Sequence, residues 1–482
     1  MGHSAILRNL GSGAAARLFS AALGVALLVV MARIWQPSEF GGYLTGFNLF
    51  QLLQQTPLLG LHFLLARDAA ASGSEERLAN DRKAAELPTA AALGLSVALE
   101  TAVALGLGVN YAYPANLHAV LQLVGISLVP TSAIMVIEMA LTGWERLYLV
   151  AIVNIAESAA RCMVLGIMIL WGYGVLAVFT AFVALRFGAL LLYLLDRSCR
   201  TIMSPRNINL LVLREYFREV PVLFPLMLLA AAFSKLDVTV LSWSVPPEAL
   251  ASYAVASRCY DLVLMAPSIL VTVLLPVLTR VDRSNDRPPG GSLSTLVGLL
   301  LRYGLLIGLL CASLGAMLTA PLVSSVFGVR YADATLPLQL LLFAAVGTAV
   351  NQLVACVLLV RHQQRLDLLC LAIGVVVLVP GLLIAIKVFG PWGAGLAVLI
   401  ATLVQCVTRV VALRFGAGVN VSTIDIAPPL IAMTAMLAAT WLGLGSALVT
   451  GPAALMTFLV VAWLTGSVRS GDLSSGRILV SK

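Results

Sequence analysis

About fourteen runs of mostly apolar residues follow one another along this chain, parted by short polar or Gly/Pro-rich breaks, and nearly all reach the roughly 20 residues that cross a bilayer as a helix. They cover residues 14–34, 42–66, 88–109, 119–141, 150–171, 175–195, 220–243, 250–278, 293–319, 336–360, 368–388, 396–413, 428–448 and 453–467. Hydrocarbon offers no partner to a backbone N–H or C=O, so runs of this length must be helices that satisfy their own backbone. With 482 residues, 60% of them hydrophobic and 11% charged, the chain has too little polar surface to cover a soluble fold. The expected class is an all-α polytopic membrane protein with about 14 transmembrane helices. The first run lacks a clear cleavage site and leads straight into the next element, which makes it a span rather than a leader.

Lys and Arg near span ends stay on the cytoplasmic side. With the N-terminus inside, the inner breaks carry Arg67, Arg77, Arg82, Lys83, Arg146, Arg197, Arg200, Arg206, Arg214 and Arg218. Later inner breaks add Arg280, Arg283, Arg287, Arg361, Arg365 and Arg414, and the tail adds Arg469, Arg477 and Lys482. The outer side keeps Arg33, Arg330 and Lys387. This bias implies an even number of spans with both termini in the cytoplasm. The net charge of +8 is then mainly a topology signal, and nucleic acid is not an expected partner.

Little chemistry is visible outside the spans. The seven cysteines show no metal-ligand spacing, and His3, His62, His118 and His362 are scattered, so neither a disulfide nor a metal is expected. The chain has no Asp-x-Asp pair, Walker loop, Gly-x-Ser-x-Gly or His-Glu-x-x-His, and its longest outer connection runs only over 320–336. No cofactor is implied, and an embedded enzyme such as a sugar polymerase or ligase is the weaker reading.

The informative residues are the charges inside the apolar runs. An ionisable group in hydrocarbon costs roughly 3 kcal/mol or more on insertion scales, so it faces a partner, a water-filled cavity or a substrate path. Glu157 and Arg161 are four apart with Glu first, the favourable order for a pair on one helix face. Lys235 and Asp237 are two apart and point in different directions, so they need other partners. Their depth from the Pro246-Pro247 turn matches that of Arg258 and Asp261 on the next span, which permits cross-hairpin pairs of Asp237 with Arg258 and Lys235 with Asp261. These four charges are therefore either a structural cluster or part of a charged lumen. Arg186 and Arg302 have no acid three or four positions away and are the least explained cations, although Glu100 could neutralise Arg186 across helices. Arg17, about a turn into the first span, either snorkels to the interface or lines a cavity mouth. Among the amides, Gln51, Gln54, Gln55, Asn154, Asn351 and Gln352 either bond neighbouring helices or meet sugar hydroxyls.

Two hairpins repeat a pattern. The first turns through Trp35, Pro37, Glu39 and Tyr43 and closes at Arg67-Asp68, and the other turns through Trp243, Pro246-Pro247, Glu248 and Tyr253 and closes near Arg280 and Asp282. An offset of six spans, an even number, relates the halves by a pseudo-twofold along the membrane normal. The expected organisation is a six-helix lobe over 1–200, a second over 201–415, and two further helices with a cytoplasmic tail over 416–482.

At these residues the chain resembles the bacterial polysaccharide flippases, which move lipid-linked oligosaccharides, within the superfamily that also holds multidrug exporters and lipid II flippases. Arg33, Pro37, Glu39, Phe40, Gly41 and Tyr43 match the first-hairpin pattern of that family, with Trp35-Gln36 in place of the usual Leu-Gly. Tyr253 to Arg258 resembles its Tyr-x-x-Ala run. Phe327-Gly328-Val329-Arg330-Tyr331-Ala332-Asp333-Ala334 is similar to its outer Phe-Gly segment, and Gly390-Pro391-Trp392-Gly393-Ala394-Gly395 to its Gly-rich turn. The likeness extends from about residue 9 to 413. It implies a non-enzymatic flippase of the bacterial inner membrane that carries a polyprenyl-diphosphate-linked oligosaccharide by alternating access, with a polysaccharide polymerase as a downstream partner. A multidrug exporter or lipid II flippase of the same superfamily is the alternative. Arg binds phosphate oxygens through a planar fork, so Arg186, Arg302, Arg258, Lys235 and Arg17 are the candidate headgroup ligands. Asp237, Asp261, Glu100, Glu157 and Arg161 are candidates for ion coupling or charge pairing, and Gln51, Gln55, Asn154, Asn351 and Gln352 for sugar contact.

Overall fold

A computed structural model of the chain describes residues 3–54, 56–61, 65, 81–112, 115–144, 146–203, 209–283 and 293–419, with a few positions between 427 and 461. Among the described residues every regular element is helical, and ten helices are long and apolar enough to cross a membrane. The chain is thus an all-α multi-pass membrane protein. It divides into two compact units, Met1–Ala251 and Ser252–Lys482. The last two expected spans, 428–448 and 453–467, lie almost wholly outside the described residues.

The first unit contains α1 (His3–Ile34), α2 (Pro37–Leu53), α3 (Asp81–Ala112), α4 (Ala115–Gly143), α5 (Leu147–Leu170), α6 (Val175–Leu194), the short α7 (Arg197–Ile202) and α8 (Leu210–Ser244). Pro37 stands in the first turn of α2, where its missing N–H has no helical partner to lose. Asp196 and Asn209 cap the helices that follow them, each accepting a backbone N–H two residues on at 2.8 Å. α4 packs on α2, α3 and α6, and α5 packs on α1 and α6. A core of Leu58, Leu61, Ile134, Ile137, Leu141 and Tyr216 joins these elements. Outward positions such as Ile152, Met163, Leu170 and Leu191 are apolar and exposed, as a lipid-facing surface requires.

The second expected span, 42–66, is not one helix. α2 ends at Leu53, with Gln54 as its cap, and a turn follows over 56–61, in which Leu59 and Gly60 take positive φ of 49° and 83°. Pro57 explains the break, since it has no N–H for the carbonyl of Leu53 and its ring crowds that turn. Gly60 is required for two reasons: its φ suits glycine, and an added β-carbon would stand 2.6 Å from the Leu223 carbonyl oxygen of α8. Leu223 lies between Pro221 and Pro225, inside α8.

The second unit holds most of α9 (Pro247–Val263), then α10 (Met265–Arg283), α11 (Leu293–Val326), a 3-10 turn over Val329–Ala334, α12 (Thr335–Val360), α13 (Gln364–Phe389) and α14 (Pro391–Phe415). The run 250–278, expected as one span, is interrupted at Leu264, because Pro267 cannot donate to the carbonyl of Val263. α12 packs on α10, α11 and α14, and α13 and α14 form a close hairpin across Gly390.

Candidate functional site

Asn154, Glu157 and Arg161 recur at the helical spacing that puts them on one face of α5, and α6 packs against that helix. The packing brings Arg186 of α6 to the same carboxylate. Glu157 accepts from Arg161 Nη2 and from Arg186 Nη1, the latter at 3.2 Å to Oε1 and 3.1 Å to Oε2. Its side chain is 5% exposed, so one carboxylate deep among apolar helices holds two guanidiniums. Aromatic rings close the other sides. Arg161 lies over Phe182, 5.1 Å from the ring centre, and Arg186 over Phe50 at 5.5 Å. The two rings meet edge to face at 5.3 Å, backed by Phe47 and Phe179. The Nε atoms of both arginines are enclosed and have no hydrogen-bond partner among the described residues.

A second carboxylate adjoins this group. Glu138 of α4 accepts from Asn154 Nδ2 at 3.1 Å and from the Tyr193 hydroxyl of α6 at 3.0 Å, both on Oε1. Asn154 thus bonds a neighbouring helix. Arg186 has a partner as well, and it is Glu157 rather than Glu100, which is exposed on α3. Spacing along one helix exposes the Glu157–Arg161 pair. Arg186 joins it only through the contact between α5 and α6.

The Lys235 backbone carbonyl in α8 accepts from Asn48 Nδ2 at 3.2 Å, and Asn48 also donates to Thr239 Oγ1 at 3.0 Å. Asp237 is buried two residues on from Lys235. Gln51 is half-buried on α2, Gln55 lies outside the described residues, and Arg17 falls in α1 at a position whose side chain is not described.

In the second unit Arg258 donates to Asp261 on its own helix at 3.1 Å. Arg302 is enclosed, with 1% exposure, and lies 5.9 Å from the ring centre of Tyr303. Asn351 donates to the Thr402 carbonyl at 3.4 Å and Gln352 accepts from Ser268 at 3.2 Å, so both amides tie helices together. A pair missing from the sequence reading joins α14 to α13: Arg409 Nη2 meets Asp367 Oδ1 at 2.7 Å and its Nη1 donates to the Asn351 carbonyl at 3.1 Å. The only sequence signal for it is an arginine inside the run 396–413. Among the described residues no group of His, Cys, Asp and Glu is arranged to hold a metal.

The first-unit cluster offers guanidinium donors, two carboxylates and aromatic walls, groups suited to binding an anion. Residues 6–282 match the family model described as "Polysaccharide biosynthesis protein", more than half of the 482 residues. No curated protein matches the chain. Among solved structures, a lipid II flippase MurJ in an inward closed conformation is similar at TM-score 0.71 and 13% identity, covering 94% of this chain and 98% of that one. An inward-facing multidrug resistance MATE family transporter of the MOP superfamily follows at TM-score 0.69 and 14% identity, covering 83% and 94%. A MOP superfamily transporter from Pyrococcus furiosus stands at 0.59 and 14%, covering 86% and 95%. At these identities the likeness establishes the fold.

Proposed function

Because the chain belongs to the polysaccharide biosynthesis protein family and has the fold of the MOP superfamily transporters, we propose that it is a flippase for a polyprenyl-diphosphate-linked oligosaccharide. It would carry the headgroup from the cytoplasmic to the outer leaflet of the bacterial inner membrane by alternating access, for surface polysaccharide synthesis, with both termini in the cytoplasm. It would act as a transporter and not as an enzyme, ahead of a polysaccharide polymerase.

The observation that carries this reading is the pair Arg161 and Arg186, part-buried among apolar helices around a single shared, buried carboxylate. Arg matches phosphate oxygens in fork geometry, and in a site of low dielectric such donors act far more strongly than in water. The unpartnered Nε donors are the atoms a phosphate oxygen would satisfy. Arg258 and Lys235, each half-buried, are the next candidates to line the headgroup path, and Arg17 its entrance. Arg302 is enclosed, so in this conformation it would contribute its field rather than a contact.

Deleting the gene should make lipid-linked oligosaccharide accumulate on the cytoplasmic face, and Arg186→Ala should do the same with the protein still present in the membrane. Wild-type surface polysaccharide in the Arg186→Ala strain would remove that residue from the site. Lipid II is the other diphosphate-linked substrate carried on this fold, by the similar flippase, and complementation of a strain lacking its own lipid II flippase separates the two.

A further inference from the structure

Glu138 is bonded differently from Glu157. Glu157 is gripped by two guanidiniums, whereas the groups that hydrogen-bond Glu138 are neutral: the Asn154 amide at 3.1 Å and the Tyr193 hydroxyl at 3.0 Å. The charged groups that act on it are Arg186, from α6, and Glu157, from α5. Of the other helices packed on α4, the described charged side chains are Glu39 of α2 and Glu100 of α3, and both are exposed. Counting charge, Arg161 and Arg186 exceed Glu157 by one, and an ionised Glu138 cancels that excess.

We propose that Arg161 and Arg186 form an anion site whose proton acceptor is Glu138, so that an anionic group and a proton are taken up together. An ionised Glu138 neutralises the cationic excess and repels the entering anion, and protonation of its carboxyl removes both effects. The surroundings suit either state. With the proton on Oε2, Oε1 stays a carbonyl oxygen and goes on accepting from both the Tyr193 hydroxyl and the Asn154 amide. Linkage makes the relation reciprocal: a bound anion raises the proton affinity of Glu138 by the factor through which protonation tightens the anion. The chemical class is an oxyanion of two charges, such as sulfate or a diphosphate. This inference rests on the reading of Arg186 as a headgroup ligand.

The test uses the full-length protein in nanodiscs of zwitterionic lipid and inorganic sulfate as the probe, whose charge is constant between about pH 5 and 8. Calorimetric titration should show affinity falling as pH rises through the titration of Glu138, by up to about tenfold per pH unit for a single linked proton. Repeating it in buffers of different protonation enthalpy should show a proton taken up with each sulfate, a readout that needs no variant. Glu138→Gln, close in shape and able to accept the same bonds, should give a flat profile that stays at the tight, low-pH affinity. Arg186→Lys and Arg161→Gln should weaken sulfate in that background. A wild-type profile as flat as that of Glu138→Gln, with no proton uptake, overturns the role of Glu138 while leaving the headgroup reading intact. Sulfate binding that is absent, or indifferent to both arginine variants, overturns the anion site and the headgroup reading together.

Discussion

Gly41 and Pro247 meet backbone to backbone: a β-carbon on Gly41 would stand 2.3 Å from the Pro247 carbonyl oxygen and 3.0 Å from its carbonyl carbon. Gly41 lies one turn into α2, which starts at Pro37, and Pro247 is the first residue of α9. Gly41→Ala is expected to destabilise the protein by about 1–3 kcal/mol, since both sides of the clash are backbone and neither can yield as a side chain would. Gly106→Ala, where an added β-carbon meets nothing within 4 Å, should leave stability unchanged or raise it. Thermal unfolding of the two variants in detergent decides the matter, and equal melting temperatures would mean that the turns separate freely.

Glu157 is the common partner of two guanidiniums, so losing it should do more harm than losing either arginine. Glu157→Ala leaves two cations facing each other in an apolar interior, with an expected cost of about 3–5 kcal/mol. The triple variant Glu157→Ala, Arg161→Ala, Arg186→Met should recover most of that stability yet remain inactive in surface polysaccharide assembly. Melting temperature read beside polysaccharide export separates the structural role from the functional one.

Gly60 joins a positive φ to a close approach, and both resist substitution. Gly60→Ala should cost about 1–3 kcal/mol through strain at φ 83° and the clash with Leu223. Pro57→Ala tests the same turn from the other side: with an N–H restored at 57, the segment 54–61 can extend the helix. Cysteine accessibility along 54–61 should then acquire helical periodicity, and an unchanged pattern would show that Pro57 is not the cause of the break.

Asn48 joins α2 to α8 through the Lys235 carbonyl and Thr239. Interhelical polar contacts in membranes average about 0.6 kcal/mol and reach about 1.7 in double-mutant cycles, so the Asn48–Thr239 coupling should fall in that range. Asn48→Ala, Thr239→Ala and the double variant, unfolded in parallel, measure it; additive effects would assign the contact no energy of its own.

The charges inside the spans show how far a sequence carries. The Glu157–Arg161 pair is legible because a spacing of four is a property of any helix. Arg258 with Asp261, three apart, is legible in the same way, although a partner across the hairpin is an equally natural expectation from depth alone. Arg186 reads as a cation without a partner because its acid lies on another helix, whose rotation no spacing reveals. Glu138 and Tyr193 carry no local signal at all, since a carboxylate near a span end and a tyrosine at a helix terminus are ordinary interfacial residues until packing brings them together. The second span looks continuous by hydropathy, which is blind to Pro57 and Gly60 as breakers of backbone hydrogen bonding.

By itself the sequence determined that this chain is a multi-pass helical membrane protein, because about 20 apolar residues in hydrocarbon have one way to satisfy their backbone. It also placed the short turns around Pro37, Pro247 and Gly390 that part successive helices. Only the tertiary structure decided which charges on different helices neutralise one another. A guanidinium reaches several ångströms from its helix, and the carboxylate it finds depends on interhelical rotation and depth, set by the packing of apolar side chains along the whole helix and not by any residue near it in the chain. Thus Arg186, with Arg302 the least explained cation of the sequence, became one of two arginines sharing Glu157, with Glu138 close by to set the charge of the group.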